Sequence, residues 1–418
     1  MSELNPHFAK EASHSTISSG EAAFQPSEMF YSRTDKRGVI IEANSVFRRV
    51  SGFLWEEIKG APHKIIRHPD MPKGVFQLYW DRLKADKPVV AYVKNRTKEG
   101  RYYWVLALTW PMADGFMSVR IKPTTDLFRK VQGIYAALLA DEKQGLTPAQ
   151  SAERLKAMLK QAGFRSYDSF MTEALSRESA ARTEQRGLPV HQVQRRFSEM
   201  FETVCRLGEE TDQMTEIIHA IRTVPMNMRI LASRLENAGG PISAISVNYG
   251  SMLDEMATWV REFVEGEDST YARIHDAIQH GQFLVCAAAI QREMSDRFEE
   301  DLAGAADTEQ LESDRRMLRS EAQKFETDMR AALKTVETEV NRLSRSVLDM
   351  KRYVTGLSST RMMCKIESAA LYGSGDTSLS GIVDQLDAGQ NEIEERLARI
   401  VQLNSVIQGH TGMIRTMA

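Results

Sequence analysis

Cysteine is scarce in this chain: three in 418 residues, at Cys205, Cys286 and Cys364. They are too few and too scattered for a disulfide framework, and no Cys-X-X-Cys pair offers a zinc or redox site. Long apolar runs are missing too. The most apolar stretch, FLVCAAAI over Phe283–Ile290, falls far short of the ~20 residues that a bilayer helix needs. Residues 1–24 lack the apolar core of a secretory signal. Together these absences predict a cytoplasmic chain with no membrane span. Nor does one sign of charge dominate, since 54 Lys and Arg stand against 57 Asp and Glu. That balance excludes bulk basic character and, with it, general nucleic-acid binding. No GxxxxGK[ST] loop, HExxH helix or Gx[SC]xG turn is found, so the chain reads as a non-enzyme.

What is present divides into two unlike parts. Aromatic residues and strand signals concentrate between Met29 and Lys122; beyond that the chain is charged, Met-rich and helical. The first part reads as strands FYSRT and VIIEA, short helices SVFRRVSG (capped by Asn44, closed by Gly52) and WEEIKG, and an amphipathic helix MPKGVFQLYWDRLKAD. Strands PVVAYVKNRT, RYYWVLALTW and GFMSVRIK then follow. This order predicts an α+β unit, a small antiparallel sheet with flanking helices. Residues 124–186 read as short helices, one starting at Thr147-Pro148.

Two sustained apolar heptad runs follow, from Val193 to Ile221 and from Leu318 to Val354, a coiled-coil or long-bundle signature that predicts a dimer. Pro225 should break or kink the first. Each run leads to a glycine-rich turn, Gly239-Gly240-Pro241 and Gly373-Ser374-Gly375, so both read as helical hairpins. The expected organisation is a flexible tail over 1–27, a sensor domain over 28–123, a helical linker over 124–186, a first hairpin over 187–265, connecting helices over 266–308 and a second hairpin over 309–418.

One cluster points to a ligand. Ile65-Ile66-Arg67-His68-Pro69-Asp70-Met71-Pro72 sets a cation, an imidazole and a carboxylate on a proline-stiffened loop, with Trp80, Asn95 and Trp104 downstream. A flavin needs an apolar slot, aromatic walls, amides for its ring edge and a cation for its phosphates or reduced ring. The same residues also suit plain structural work, with the Trp residues in the core and Asp70 as a helix N-cap.

The segments ANSVFRRVSGF, GAPHKIIRHPDMPKGVF, VKNRTKEGRYYWV and GFMSVR resemble, in residues and spacing, the flavin-binding PAS domain of bacterial aerotaxis receptors. That resemblance covers residues 30–122. It implies a PAS fold, non-covalent FAD, redox or oxygen sensing, and a pocket drawn from Asn44, Arg67, His68, Asp70, Trp80 and Asn95. A light-driven cysteinyl adduct is excluded because the first cysteine is Cys205, outside the domain. Haem would need His63 or His68 as axial ligand. More distantly, KIESAAL with GSGDTSLSGIVDQLD resembles the signalling hairpin of methyl-accepting chemotaxis proteins, which implies a chemotaxis-type histidine kinase and coupling protein as partners. Neither hairpin keeps that family's full tip pattern. His219 in HAIRTVP resembles a phosphoacceptor segment, but no ATP-binding boxes follow, and it reads as an ordinary helix residue. The rival to a redox sensor is a cofactor-free PAS scaffold that docks a signalling partner.

Overall fold

The computed structural model describes residues 20–234, 239–266, 268–302, 308–372 and 380–417. The chain forms two compact units. The first combines the residues up to Val190 with Cys286–Gln323; the second combines His191–Val285 with the chain from Lys324 onward.

In the first unit, β1 (Phe30–Asp35), β2 (Ile40–Ala43), β3 (Val89–Arg96), β4 (Tyr102–Met112) and β5 (Gly115–Ile121) make one antiparallel sheet in the order β2-β1-β5-β4-β3. Between β2 and β3 lie α1 (Ser45–Ser51), α2 (Trp55–Ile58), a single 3-10 turn over His63–Ile66, and α3 (Lys73–Lys84). This is the sheet-and-flanking-helix architecture expected from the strand and helix patterns. The β3–β4 hairpin turns where Thr97 N–H donates to Arg101 O and Gly100 takes φ +90°, a backbone region that glycine enters without strain.

Period-two alternation gives each strand two faces. Ser32, Thr34, Asn95, Thr109, Ser118 and Arg120 look toward α3, while Tyr31, Arg33, Tyr92 and Trp104 look outward. Of the three helices after the sheet, α4 (Asp126–Lys143) and α6 (Tyr167–Gln185) cover that outward face and the β3 edge, while α5 (Pro148–Gln161) packs on α3. Phe128 of α4 packs on Tyr92 and Trp104. Tyr167 of α6 donates to Val90 O on the edge strand. Glu178, fully buried, accepts from Tyr92 Oη at 3.0 Å, Thr124 N at 2.7 Å and Thr125 Oγ1 at 2.6 Å. Covering an edge in this way blocks its pairing with another chain. Thr147 caps α5 with Pro148 in its first turn, as its sequence predicts.

The segment Gly20–Ser27 is packed rather than free. Ala22 N–H donates to Tyr102 O, Phe24 stands edge-on to Phe30, and Arg182 donates to the carbonyls of Pro26, Ser27 and Glu28. Apolar Phe24 and these backbone bonds hold a stretch whose polar composition suggested a tail. The remainder of the expected tail lies outside the described residues.

Two long helices contribute to both units: α10 (Thr270–Leu302) and α11 (Thr308–Tyr372). In the first unit, Phe298 of α10 meets Tyr31 edge-on at 4.9 Å, and Asp314 of α11 pairs with Arg33 at 3.3 Å. The second unit adds α7 (Gln192–Ile221), α8 (Val224–Ala232), α9 (Gly239–Val264) and α12 (Ser380–Met417). Its heptad residues, Val193 to Ile221 on α7 and Phe325 to Val354 on α11, are buried inside this one chain. Ion pairs tie the helices, among them Arg396 and Arg399 to Glu210 and Arg273 to Glu339. Close approach matters at Gly281, where a Cβ would overlap the Phe197 ring.

Pro225 sits in the first turn of α8, just after the break that ends α7, where its missing N–H costs nothing. Gly239-Gly240-Pro241, expected as a turn, instead opens α9, since Pro is tolerated in a first helical turn. The expected turn at Gly373-Ser374-Gly375 lies outside the described residues. No helix among the described residues is long and apolar enough to cross a membrane.

Phe197 is fully buried, and Phe197→Ala should cost the second unit about 3–5 kcal/mol. Denaturant unfolding followed by helical circular dichroism would show it as an earlier transition.

Candidate functional site

Between the inner face of the sheet and α3 lies a cavity of about 280 Å³. Helix α3 turns Phe76, Tyr79, Trp80 and Leu83 into it, the i, i+3, i+4, i+7 face of one helix. Val93 and Ala107 form an apolar floor on the sheet, while Arg37, Lys64 and Arg67 bring positive charge to the lining. Gly38, at φ +78°, lies directly against the Trp80 indole, where a Cβ would stand 3.0 Å from the ring.

The deepest charge is Arg120 on β5, only 4% exposed. It donates to Ser32 Oγ at 3.0 Å and to His63 Nε2 at 2.7 Å. Among the described residues no carboxylate pairs with it. Guanidinium keeps its proton under any biological condition, so this is a buried cation held by two neutral acceptors. Burial, and then the positive charges of Arg120 and Arg67, push His63 well below the usual imidazole range. A neutral His63 is what the geometry demands, because only a free ring lone pair can accept from Arg120.

Beside this pair runs a chain of hydroxyls. Tyr79 Oη donates to Thr109 Oγ1 at 2.5 Å, Thr109 to Ser118 Oγ at 2.7 Å, and Ser118 to Leu108 O at 3.2 Å. Asn95, 2% exposed, leaves its Nδ2 donor with no protein partner. Arg67 lies flat on Phe76, its guanidinium carbon 3.5 Å from the ring centre, with a buried Nε also unpartnered. Unmatched buried donors in a cavity mark a place where a ligand's acceptors would restore lost hydrogen bonds.

Of the six residues expected here, Arg67, Trp80 and Asn95 line the cavity and Asn44, His68 and Asp70 do not. Asn44 serves the backbone. Its Oδ1 accepts from Phe47 N at 3.1 Å, capping α1, and from Tyr31 N at 3.0 Å, while Nδ2 donates to Met29 O. Asp70 pairs with Lys94 at 3.0 Å, and that hydrogen bond holds its carboxyl below the usual range. His68 Nδ1 accepts from Asp70 N. Asp70 does not cap α3 either; Pro72 occupies that position. The RHPDMP loop thus spends its His and Asp on its own shape and presents only Arg67.

Ser32, Tyr79, Thr109, Ser118 and Arg120 were not among the site residues expected from the sequence. Alternation in GFMSVRIK carries the signal: Ser118 and Arg120 share one face of a strand whose other face, Met117, Val119 and Ile121, is apolar and buried.

Residues 40–116 match the PAS fold family. Over 134 residues, 31% of this chain, the sequence is 37% identical to the aerotaxis receptor of Escherichia coli (strain K12). The match spans only 26% of that receptor's length. Among solved structures, the light state of the blue-light photoreceptor Aureochrome1 LOV aligns with 27% of this chain and 90% of its own, at 19% identity and a TM-score of 0.21. A PAS domain related to that of the aerotaxis receptor therefore stands near the N-terminus.

Two outcomes follow from this geometry. Asn44→Ala removes three backbone bonds without touching the cavity, so it should lower unfolding free energy by about 1–3 kcal/mol while ligand affinity stays unchanged. His63 titrates below its unfolded value, so the unfolded chain takes up that proton first. Stability present above about pH 6.5 should decline as pH falls through the native value of His63. In His63→Asn that decline should be shallower between pH 7 and 5, as read from urea midpoints.

Proposed function

We propose that the first unit is a flavin-binding redox or oxygen sensor that uses FAD and signals through the helices packed on its sheet. One observation carries this reading: a buried Arg120 cation without a carboxylate, in a cavity whose neighbouring Asn95 has a donor to spare. Desolvating a lone ion costs several kcal/mol, and that cost is offset best by a ligand edge that holds or gains negative charge. Bound there, FAD would supply an electron-accepting ring whose reduced form carries more negative charge near N1. Arg120 and Asn95 would hold the polar ring edge, and Phe76, Tyr79 and Trp80 the apolar wall. Lys64 and Arg37 would meet the diphosphate outside. The volume, at the small end of ligand pockets, suits one flat ring system with the rest of the cofactor beyond it. The 37% identity to the aerotaxis receptor supports the same assignment.

Haem fits less well. His63 Nε2 is already committed to Arg120, and His68 lies off the cavity lining.

The relay runs through β1. Its inward Ser32 holds Arg120, and its outward neighbours Tyr31 and Arg33 hold Phe298 and Asp314. A ligand whose charge changes beside Arg120 alters Ser32's bond and so favours one packing of α10 and α11 over another, provided the two ligand states differ in their preference. The chain as a whole would then act as a cytoplasmic, non-catalytic signalling protein. Exposed apolar residues on the second unit, Met226 and Ile230 on α8 and Met362, Met363 and Ile366 on α11, support a protein partner, with a chemotaxis-type histidine kinase and coupling protein as the candidate pair. The apolar heptads are filled within one chain, so a homodimer would have to form through other surfaces.

Purified protein should show the two-banded visible absorption of oxidised flavin and bleach reversibly on anaerobic reduction. Arg120→Ala should weaken FAD by roughly 10- to 100-fold, the ~1.5–3 kcal/mol of a charge-assisted hydrogen bond. A protein that is colourless and stays so when FAD is added would overturn the flavin assignment and leave the scaffold reading.

A further inference from the structure

Helix α3 starts without a cap of its own. Pro72 occupies its N-cap position and has no side-chain oxygen to offer the first-turn N–H groups, which a helix leaves unpaired. Asp70, two residues earlier, is turned away to Lys94. The missing acceptor comes from another helix. Glu142, near the end of α4, takes the Gly74 N–H on Oε1 at 3.0 Å, and the same oxygen accepts from Ser151 Oγ of α5 at 2.6 Å. A negative side chain at that end also suits the positive pole of the helix.

Gly74 makes this possible. A Cβ there would lie 2.5 Å from the carbonyl carbon of Ser151 and 2.7 Å from Ala152 N, so only glycine lets α5 come this near. At its other end α3 is gripped again: Arg82 holds Asp168, in the first turn of α6, through two bonds of 2.7 and 3.2 Å. The twelve-residue helix that walls the cavity is thus clamped at both ends by α4–α6.

We propose that Glu142 is a positioning residue for the cavity. By capping α3 in trans it holds the Phe76–Tyr79–Trp80 wall, so that α4 and α5 set how tightly the cavity keeps its ligand. Residues 126–161 are then a control element, not a spacer. Because coupling between two sites is reciprocal, a ligand that draws α3 inward also tightens α5. The inference depends on the flavin reading only for the identity of that ligand.

Hydrogen exchange and FAD titration of the full chain test it together. In Glu142→Ala, exchange in the first turn of α3 should rise about ten-fold while β4 and β5 are unchanged, and the FAD dissociation constant should rise about ten-fold. Glu142→Gln, which keeps an acceptor oxygen, should restore most of both. Gly74→Ala leaves the carboxylate in place, displaces α5, and should weaken FAD in the same way. If α3 loosens in Glu142→Ala and FAD binds as before, Glu142 is only a structural cap and the proposal falls; it falls also if α3 exchange does not change. Should the wild-type chain take up no FAD, the flavin reading fails by itself. The proposal is then decided across the cavity: faster exchange over His63–Arg67 in Glu142→Ala sustains it, and unchanged exchange there overturns it.

Discussion

Arg120 is the group on which the rest of the sensor unit depends. A guanidinium on the inner face of a central strand cannot shed its charge, and the protein gives it no carboxylate. Its two partners, Ser32 and His63, are neutral. His63 must stay unprotonated, and partial burial and the nearby positive charges of Arg120 and Arg67 enforce that state. Ser32 must be on β1, next to β5 in the sheet order, where antiparallel pairing brings it opposite Ser118. Of the polar stripe on this sheet, Ser32 serves the ion, while Thr109 and Ser118 form their own hydroxyl chain with Tyr79.

A sheet with a functional inner face must hide its outer face by other means. Tyr31, Tyr92, Trp104 and their neighbours are nearly all buried, and three separate parts of the chain achieve this. Helix α4 lies on Tyr92 and Trp104, α6 closes the β3 edge, and the return of the chain at Cys286–Gln323 brings Phe298 and Asp314 onto β1. The buried Glu178 shows how firmly α6 is attached, since its carboxylate gathers donors from a strand and from the segment after β5. Burial also raises the Asp314 carboxyl above its ordinary range, the expected consequence of taking an acidic group out of water to reach Arg33.

Elements with a strong local period were legible from the sequence: all five strands, α3, the Thr147-Pro148 start of α5, and both heptad runs. Partnership was not. A heptad stripe states that a helix face is buried but not against which chain, and here the covering helices belong to the same molecule. Asn44, His68 and Asp70 have side chains that suit a ligand equally well as a backbone, and only the folded loop decides between them. In each case the nearer backbone or lysine won. Residues 124–186 read as a linker of short helices, but they form helices of 18, 14 and 19 residues whose buried faces pack on the sheet and on α3. Arg120 could have been found by asking which face of GFMSVRIK its neighbours occupy, a question of alternation rather than of motif.

The match to the PAS fold ends at Phe116, and several walls of the cavity are supported by elements later in the chain. Helix α3 takes its cap from α4 and its close neighbour from α5; β3 takes its edge cover from α6; β1 takes its outward contacts from α10 and α11. The neutral contacts among these are modest, about 1 kcal/mol each, and the charged ones, through Glu142, Glu178 and Asp314, are stronger. That scale is useful for signalling. Contacts worth much more would lock one arrangement, and contacts worth much less would transmit nothing. If the cavity holds a ligand whose charge changes, as proposed above, the perturbation beside a buried cation would be large enough to redistribute two packings that differ by a few kcal/mol. The groups that line the cavity and the groups that hold α10 and α11 alternate along β1, Ser32 facing one way and Tyr31 and Arg33 the other.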